Sequence, residues 1–513
     1  MIKIKIVFIN PSIDKYQSIH MYGSEFMKTL LGKNDTMMPN LSALVLASIT
    51  PGEFEFKYID EEIEDIVYDK IDADIIAITC MTIQAKRAFE IAKEFKKRNF
   101  TVVMGGAHPT VLPHETLNHC DSVVVGEGEI CWKHLLSDFK NNQLKPIYKS
   151  ADYGEINNFP MPKYDVMDHS HYFHYPIQAT RGCPYNCDFC AIKFTSGRKF
   201  RFKPVEQVIE EIKIAKSYDK GFYKKSFFFV DDNLYINREY SKKLFSEMSK
   251  LNITWVGQGS VNIAKDDEVL ELMAQSGCRG FTIGFESISQ SSLKEVNKAS
   301  VNISEEYSNA IQKIQSYGII VSGCFIFGFD HDGLDIFEKT VEFINDTNIY
   351  TALLNILTPY PGTELRNRLE KEGRILNSDW SNYNCLNTVF SPKNMTPEDL
   401  KQGTLWAIKE VNRLKKFDKR LNNFWQSGTW KSNPPLNLLE RAILLAISLG
   451  LWKDAEYRKF LFKAATTKNA SDIYNIFRAI YMDCSLSRMI PDVKNPNDII
   501  YKVDNDNPSK LTG

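Results

Sequence analysis

The chain has 513 residues, 43% of them hydrophobic and 25% charged, which at about 100–200 residues per domain predicts roughly three ordinary globular domains. A net charge of −1 with no strongly basic tract argues against nucleic-acid binding. A strand-like start, and apolar runs such as Ala442 to Trp452 that fall far short of the ~20 residues of a spanning helix, argue against a signal peptide and a transmembrane segment, so a cytoplasmic protein is expected.

Residues 1–144 alternate strand and helix. Strands are expected at Val7 to Asn10, Phe54 to Ile59, Ala73 to Thr79, Thr101 to Met104 and Asp121 to Val125. Ala88, Ile91, Ala92 and Phe95 recur at helical spacing before the fourth. Apolar strands alternating with amphipathic helices imply a parallel sheet covered on both faces. Such sheets bind ligands beyond their strand C-termini. Gly105 and Gly106 follow a strand and let a flat ligand approach the backbone. Taken alone, an ordinary tight turn explains the pair as well.

The longer run is more specific. Met104-Gly105-Gly106-Ala107-His108-Pro109-Thr110, followed by Val123-Val124-Val125-Gly126-Glu127-Gly128-Glu129, resembles the cobalamin-binding domain that precedes many radical S-adenosylmethionine (radical SAM) domains. The resemblance implies a Rossmann-like fold and a cobalamin site at Thr79, Thr82, Gly105, Gly106, Gly126 and Glu127. That family's Asp-x-His-x-x-Gly run, which supplies a lower axial histidine, is absent. Asn10-Pro11-Ser12 stands there, and His20 lacks the spacing. Cobalt is then expected without a histidine beneath it, and a form of the enzyme without cobalamin stays open.

Residues 145–176, with Pro160 and Pro162, read as an extended connector. Next comes Thr180-Arg181-Gly182-Cys183-Pro184-Tyr185-Asn186-Cys187-Asp188-Phe189-Cys190. Three thiolates this close can hold one soft metal centre, one ligand short of a closed site. An iron–sulfur cube normally takes four cysteines, so three leave one iron open. A zinc knuckle needs a second cysteine pair downstream, and none follows. Cys80, Cys120, Cys131, Cys278, Cys324, Cys385 and Cys484 are scattered singly and read as buried thiols.

Strands are expected at Ser226 to Val230, Ile253 to Val256, Gly280 to Ile283, Ile319 to Phe327 and Ala352 to Leu357, each followed by a helix. Their ends carry Asp231-Asp232-Asn233, Gln258-Gly259-Ser260 and Glu286-Ser287. Each has a bland reading as a helix cap or turn. Their order behind the cysteine loop favours a site.

The C-x3-C-x2-C spacing, with Phe189 before the third cysteine, resembles the radical SAM superfamily. The resemblance implies an α/β fold with a partial (β/α)6 TIM barrel over 177–375 and active residues at its strand ends. It further implies a 4Fe–4S cluster on Cys183, Cys187 and Cys190. S-adenosylmethionine would lie near Phe189, Asp231, Asp232, Gln258, Ser260, Glu286 and Ser287. Overall, residues 1 to 415 are most similar to the branch holding hopanoid methylases and the anaerobic magnesium-protoporphyrin ester cyclase. A one-electron reductant such as flavodoxin or ferredoxin, and a small-molecule substrate, either a lipid or a large ring, are implied with it.

Residues 376–491 read as helical, starting at Thr396-Pro397-Glu398-Asp399, and 492–513 as a frayed tail. Leu436 to Leu451 is apolar, which suits a buried bundle helix or a lipid-facing surface. The expected activity is radical, cobalamin-dependent C-methylation. A cobalamin-independent radical cyclase, coupling or rearrangement enzyme is the alternative, and a cluster or cobalamin carrier without turnover is a third reading.

Overall fold

The computed structural model describes residues 3–13, 36–150, 153, 159–219, 226–413, 416 and 419–420. His20, the apolar run at 436–451, the tail and most of the expected C-terminal helical region lie outside them. The chain divides into two compact units. The first comprises Met1–Arg279, Val296–Lys298 and Thr358–Ser391, and the second Gly280–Glu295, Ala299–Leu357 and Pro392–Gly513.

The first unit opens with six strands: β1 (Ile4–Asn10), β2 (Phe54–Asp60), β3 (Ile75–Thr79), β4 (Thr101–Gly105), β5 (Ser122–Val125) and β6 (Ile147–Lys149). They form one parallel sheet in the order β2-β1-β3-β4-β5-β6. The order reverses at β1 and β3, and a crevice opens at such a switch point. Helix Ala85–Lys97 lays Ala85, Ala88, Ile91, Ala92 and Phe95 on one face. The three alanines let it sit close to the sheet, in a core with Ile76, Ile78, Val102 and Met104.

The strand pattern holds, with three differences. β1 begins three residues earlier than expected, because charged Lys5 interrupts the apolar run yet pairs in register with Glu55. A helix at Leu41–Ile49, capped by Asn40, was not expected. Its residues 43–47 are all buried, so it shows no amphipathic stripe. β6 adds an edge strand inside the expected connector.

The barrel-type strands of the first unit are β7 (His174–Ile177), β10 (Ser226–Phe229) and β11 (Trp255–Gly259), parallel in the order β7-β10-β11. β7 ends at Ile177, just before the run that carries the cysteines. Between β7 and β10, β8 (Thr180–Arg181) and β9 (Arg201–Phe202) form an antiparallel pair. In the second unit β12 (Cys278–Glu286), which enters it at Gly280, β13 (Ile320–Phe327) and β14 (Thr351–Ile356) run parallel, β13 central. Helix Pro397–Val411 carries the expected Thr396 cap and a reciprocal bond from Asp399.

Candidate active site

The cysteines sit on the loop that β8 and β9 close. Thr180 faces Phe202, and Arg181 faces Arg201. Cys183 donates its N–H to Gly197 O at 3.3 Å, and Cys190 to Cys187 O at 3.1 Å. Asp188 is held from three directions: its N–H by Val296 O at 3.3 Å, its carbonyl by Leu365 N at 3.1 Å, and its carboxylate by Asn297 Nδ2 at 2.6 Å. Cys187 is buried, whereas Cys183, Phe189 and Cys190 are half-buried.

Cys190 feels the other two thiols. Burial pushes Cys190 up to about 12, and the charges of Cys187 and Cys183 push the same way. Crowded thiols resist ionisation unless a cation sits among them, and a coordinating metal deprotonates a thiol outright. Among the described residues no three ligand side chains converge on a single-ion position. Three thiols on one loop are a donor set for a cube whose separate irons each take one cysteine.

Asp231 and Asp232, expected beside S-adenosylmethionine, turn to the cysteine loop itself. Fully buried Asp231 accepts from Ala179 N at 3.1 Å, from Thr180 Oγ1 at 2.6 Å and from Thr180 N. Burial lifts its pKa to about 7 against these donors. Asp232 accepts from Gly182 N at 2.9 Å. Gly182 has φ +84, and a Cβ there would lie 2.3 Å from Lys199 O, so only glycine fits. Gln258 donates to Asp231 O at 2.9 Å. Ser260 is buried, and its hydroxyl has no hydrogen-bond partner among the described residues, which leaves it ready for a ligand.

In the second unit, Glu286 is buried with φ +64, and a Cβ on Gly284 would meet its carboxylate oxygen at 2.3 Å. The buried hydroxyl of neighbouring Ser287 accepts from Ser289 N at 3.0 Å.

At the C-terminal end of the first sheet, Thr79 and Gly105 pair in register. Gly106 has φ +104, and a Cβ there would stand 2.8 Å from both Cys80 O and Thr79 Oγ1. Gly126 has φ +87, yet nothing stands within 4 Å of a Cβ placed on it. Thr110 joins the two turns: its Oγ1 donates to Gly106 O at 2.7 Å and accepts from Gly126 N at 3.0 Å. Thr82 is buried in the turn after β3. A bare, glycine-lined strand end with open space at Gly126 fits a large flat cofactor.

Two features escaped the sequence. His108 is fully buried, neither ring nitrogen has a hydrogen-bond partner among the described residues, and burial pushes its pKa down to about 4. Its neighbours Phe89 and Trp380 come from distant segments. Glu127, expected at cobalamin, gives its carboxylate to two arginines: Arg201 binds both oxygens, at 2.6 and 3.0 Å, and Arg181 lies at 3.3 Å.

Comparison with known proteins agrees with this layout. The Radical SAM superfamily model matches residues 177–344, and the B12 binding domain model matches residues 27–136. A bacteriochlorophyllide d C-12(1)-methyltransferase of Chlorobaculum tepidum is 32% identical, over 79% of this chain and 89% of that protein. The hopanoid C-2 methylase of Rhodopseudomonas palustris is 29% identical, over 77% and 76%. Among solved structures, the cobalamin-dependent S-adenosylmethionine radical enzyme OxsB, with aqua-cobalamin and S-adenosylmethionine bound, superposes with TM-score 0.63 at 15% identity, over 98% of this chain and 81% of that one. That last likeness is one of fold.

Proposed function

This chain belongs to the B12-binding class of radical SAM enzymes, and from that premise we propose that it methylates an unactivated carbon of a large, mostly apolar small molecule, either a flat ring or a polycyclic lipid. Radical SAM C-methylation is the activity that the methyltransferase relatives support, with a 4Fe–4S cluster, S-adenosylmethionine and cobalamin as cofactors. When bound, the cluster and S-adenosylmethionine supply a carbon radical, and cobalamin supplies a methyl group. The protein's part is to hold, orient and keep dry.

The observation that carries the reading is one compact unit holding both a three-thiol loop and a glycine-lined sheet end. Cys183, Cys187 and Cys190 hold the cluster in this proposal, and Gly105, Gly106, Gly126, Thr79 and Thr82 line the cobalamin. Phe189, Gln258 and the open hydroxyl of Ser260 serve S-adenosylmethionine in this proposal. Asp231 and Asp232 act one step back, by fixing the loop. The ring or lipid substrate is supported by the two relatives, one named for a chlorophyllide and one for a hopanoid. Domains at 1–144, 177–375 and 376–491, and a cytoplasmic setting with flavodoxin or ferredoxin as reductant, complete the proposal. No helix among the described residues is long and apolar enough to cross a membrane.

The test is anaerobic reconstitution with iron, sulfide and cobalamin, then incubation with reductant, methyl-labelled S-adenosylmethionine and tetrapyrrole or hopanoid extracts. Label in a ring or lipid product supports the proposal. Release of 5′-deoxyadenosine with no cobalamin bound and no label transferred favours the cyclase or coupling alternative.

A further inference from the structure

The β8–β9 pair poses an electrostatic problem. Arg181 and Arg201 stand directly opposite each other at the base of the cysteine loop, and like charges directly opposite on paired strands repel. Arg201 is 4% exposed. A buried guanidinium needs a partner, because desolvation without one costs several kcal/mol.

That partner comes from 74 residues upstream. Glu127, 7% exposed, receives Arg201 through two hydrogen bonds and Arg181 through an ion pair at 3.3 Å. Arg201 also donates to Ser196 O at 2.8 Å, inside the loop. Arg181 stacks over Phe159 at 4.0 Å and donates to Gln178 at 2.7 Å, so it cannot swing away cheaply. Asp232, which holds Gly182, feels both arginines. Arg181 has a second carboxylate in Glu129, at 2.6 Å, but Glu127, standing between Gly126 and Gly128, is the one that touches both sides of the gate through which residues 182–200 enter and leave.

We propose that Glu127 is a positioning residue for the cluster loop rather than a cobalamin contact. It acts through Arg181 and Arg201, closing the loop that presents Cys183, Cys187 and Cys190, and it ties that loop to the turn at Gly126. The identity of the cluster is taken from the function proposed above; the clamp itself is not.

The experiment compares wild type, Glu127→Gln and the double variant Glu127→Gln/Arg201→Gln, as full chains reconstituted anaerobically. Glu127→Gln takes the paired carboxylate from buried Arg201, while Arg181 keeps Glu129 at 2.6 Å. It should weaken cluster retention roughly tenfold, the scale of losing an outer-shell partner, and alter the electron paramagnetic resonance signal of the reduced cluster. Removing the second charge in the double variant should restore most of the retention, which a loss of packing alone would not allow. Cobalamin binding, read by absorbance, should stay at the wild-type level in both. The proposal is overturned if Glu127→Gln keeps its cluster and spectrum, if it loses cobalamin instead, or if the double variant is no better than the single. Wild type that takes up no cluster would sink the radical reading; there, protection of the 182–200 loop from limited proteolysis tests the clamp, and equal cleavage of wild type and Glu127→Gln refutes it.

Discussion

Gly182, the residue before Cys183, donates its N–H to Asp232 at 2.9 Å, so the first cysteine leaves the backbone from a fixed point. Asp232→Ala would strand that N–H in a buried turn, at a cost of about 1–3 kcal/mol. We expect Asp232→Ala to bind less iron per chain after reconstitution than Asp232→Asn, which keeps an oxygen acceptor. Equal iron in both would show that the turn does not set the cysteine geometry.

Cys187 is the buried member of the triplet. Cys187→Ala removes one of three legs, and two cannot hold a cube. Iron content and S-adenosylmethionine cleavage should both fall to background. An intact 4Fe–4S absorption in that variant would remove Cys187 from the ligand set.

What the sequence made legible was whatever is local. The cysteine spacing, the Gly105-Gly106 pair and the polar strand ends could all be found by reading along the chain. Glu127 could be found too, but not its role, because its partner Arg201 lies 74 residues away, and only the β8–β9 pairing makes that arginine's charge a problem. Asp231 and Asp232 show the same limit. Their place after a strand was readable, while their turn toward 179–182 depends on a two-residue strand too short to leave a pattern. The helix Leu41–Ile49 escaped for the opposite reason, since burial all round erased its periodicity.

Lys203 and Glu211 form a buried pair, 2.7 and 2.9 Å from nitrogen to the two oxygens. Burial pushes the lysine down and the glutamate up, and each charge opposes that for the other. Lys203→Met leaves a buried carboxylate with Gln207 as donor but without its paired cation, and should cost about 3–5 kcal/mol in urea unfolding. Lys203→Met/Glu211→Leu should recover most of it. A double variant as unstable as the single would mean that packing, not charge, dominates this position.

His108 gives the fold an acid-side weakness. In the folded chain it takes a proton only near pH 4, whereas in the unfolded chain it does so near 6.5. Between those values the unfolded state holds more protons, so stability is complete above about pH 6.5 and falls as pH drops toward 4. The loss attributable to this residue approaches about 3 kcal/mol. His108→Phe keeps a ring between Phe89 and Trp380 and cannot titrate. Its melting temperature should fall less between pH 7 and about 4.5 than that of wild type; parallel curves would clear His108 of the effect.

Gly105 and Gly106 separate the demands of backbone from those of ligand. A Cβ on Gly106 would collide with Cys80 O and Thr79 Oγ1 at 2.8 Å, and its φ of +104 disfavours any side chain. Gly106→Ala should therefore destabilise the cofactor-free protein by about 1–3 kcal/mol. A Cβ on Gly105 would meet Val124 Cβ at an ordinary 3.6 Å, so the fold does not require glycine there. Gly105→Ala should melt close to wild type. If a flat cofactor lies along this strand end, the added methyl still obstructs it, and cobalamin retained after gel filtration should fall. Loss of cobalamin from Gly105→Ala with an unchanged melting temperature would locate the ligand against Gly105. Full retention would place it elsewhere and leave Gly106 as a purely steric requirement of the turn.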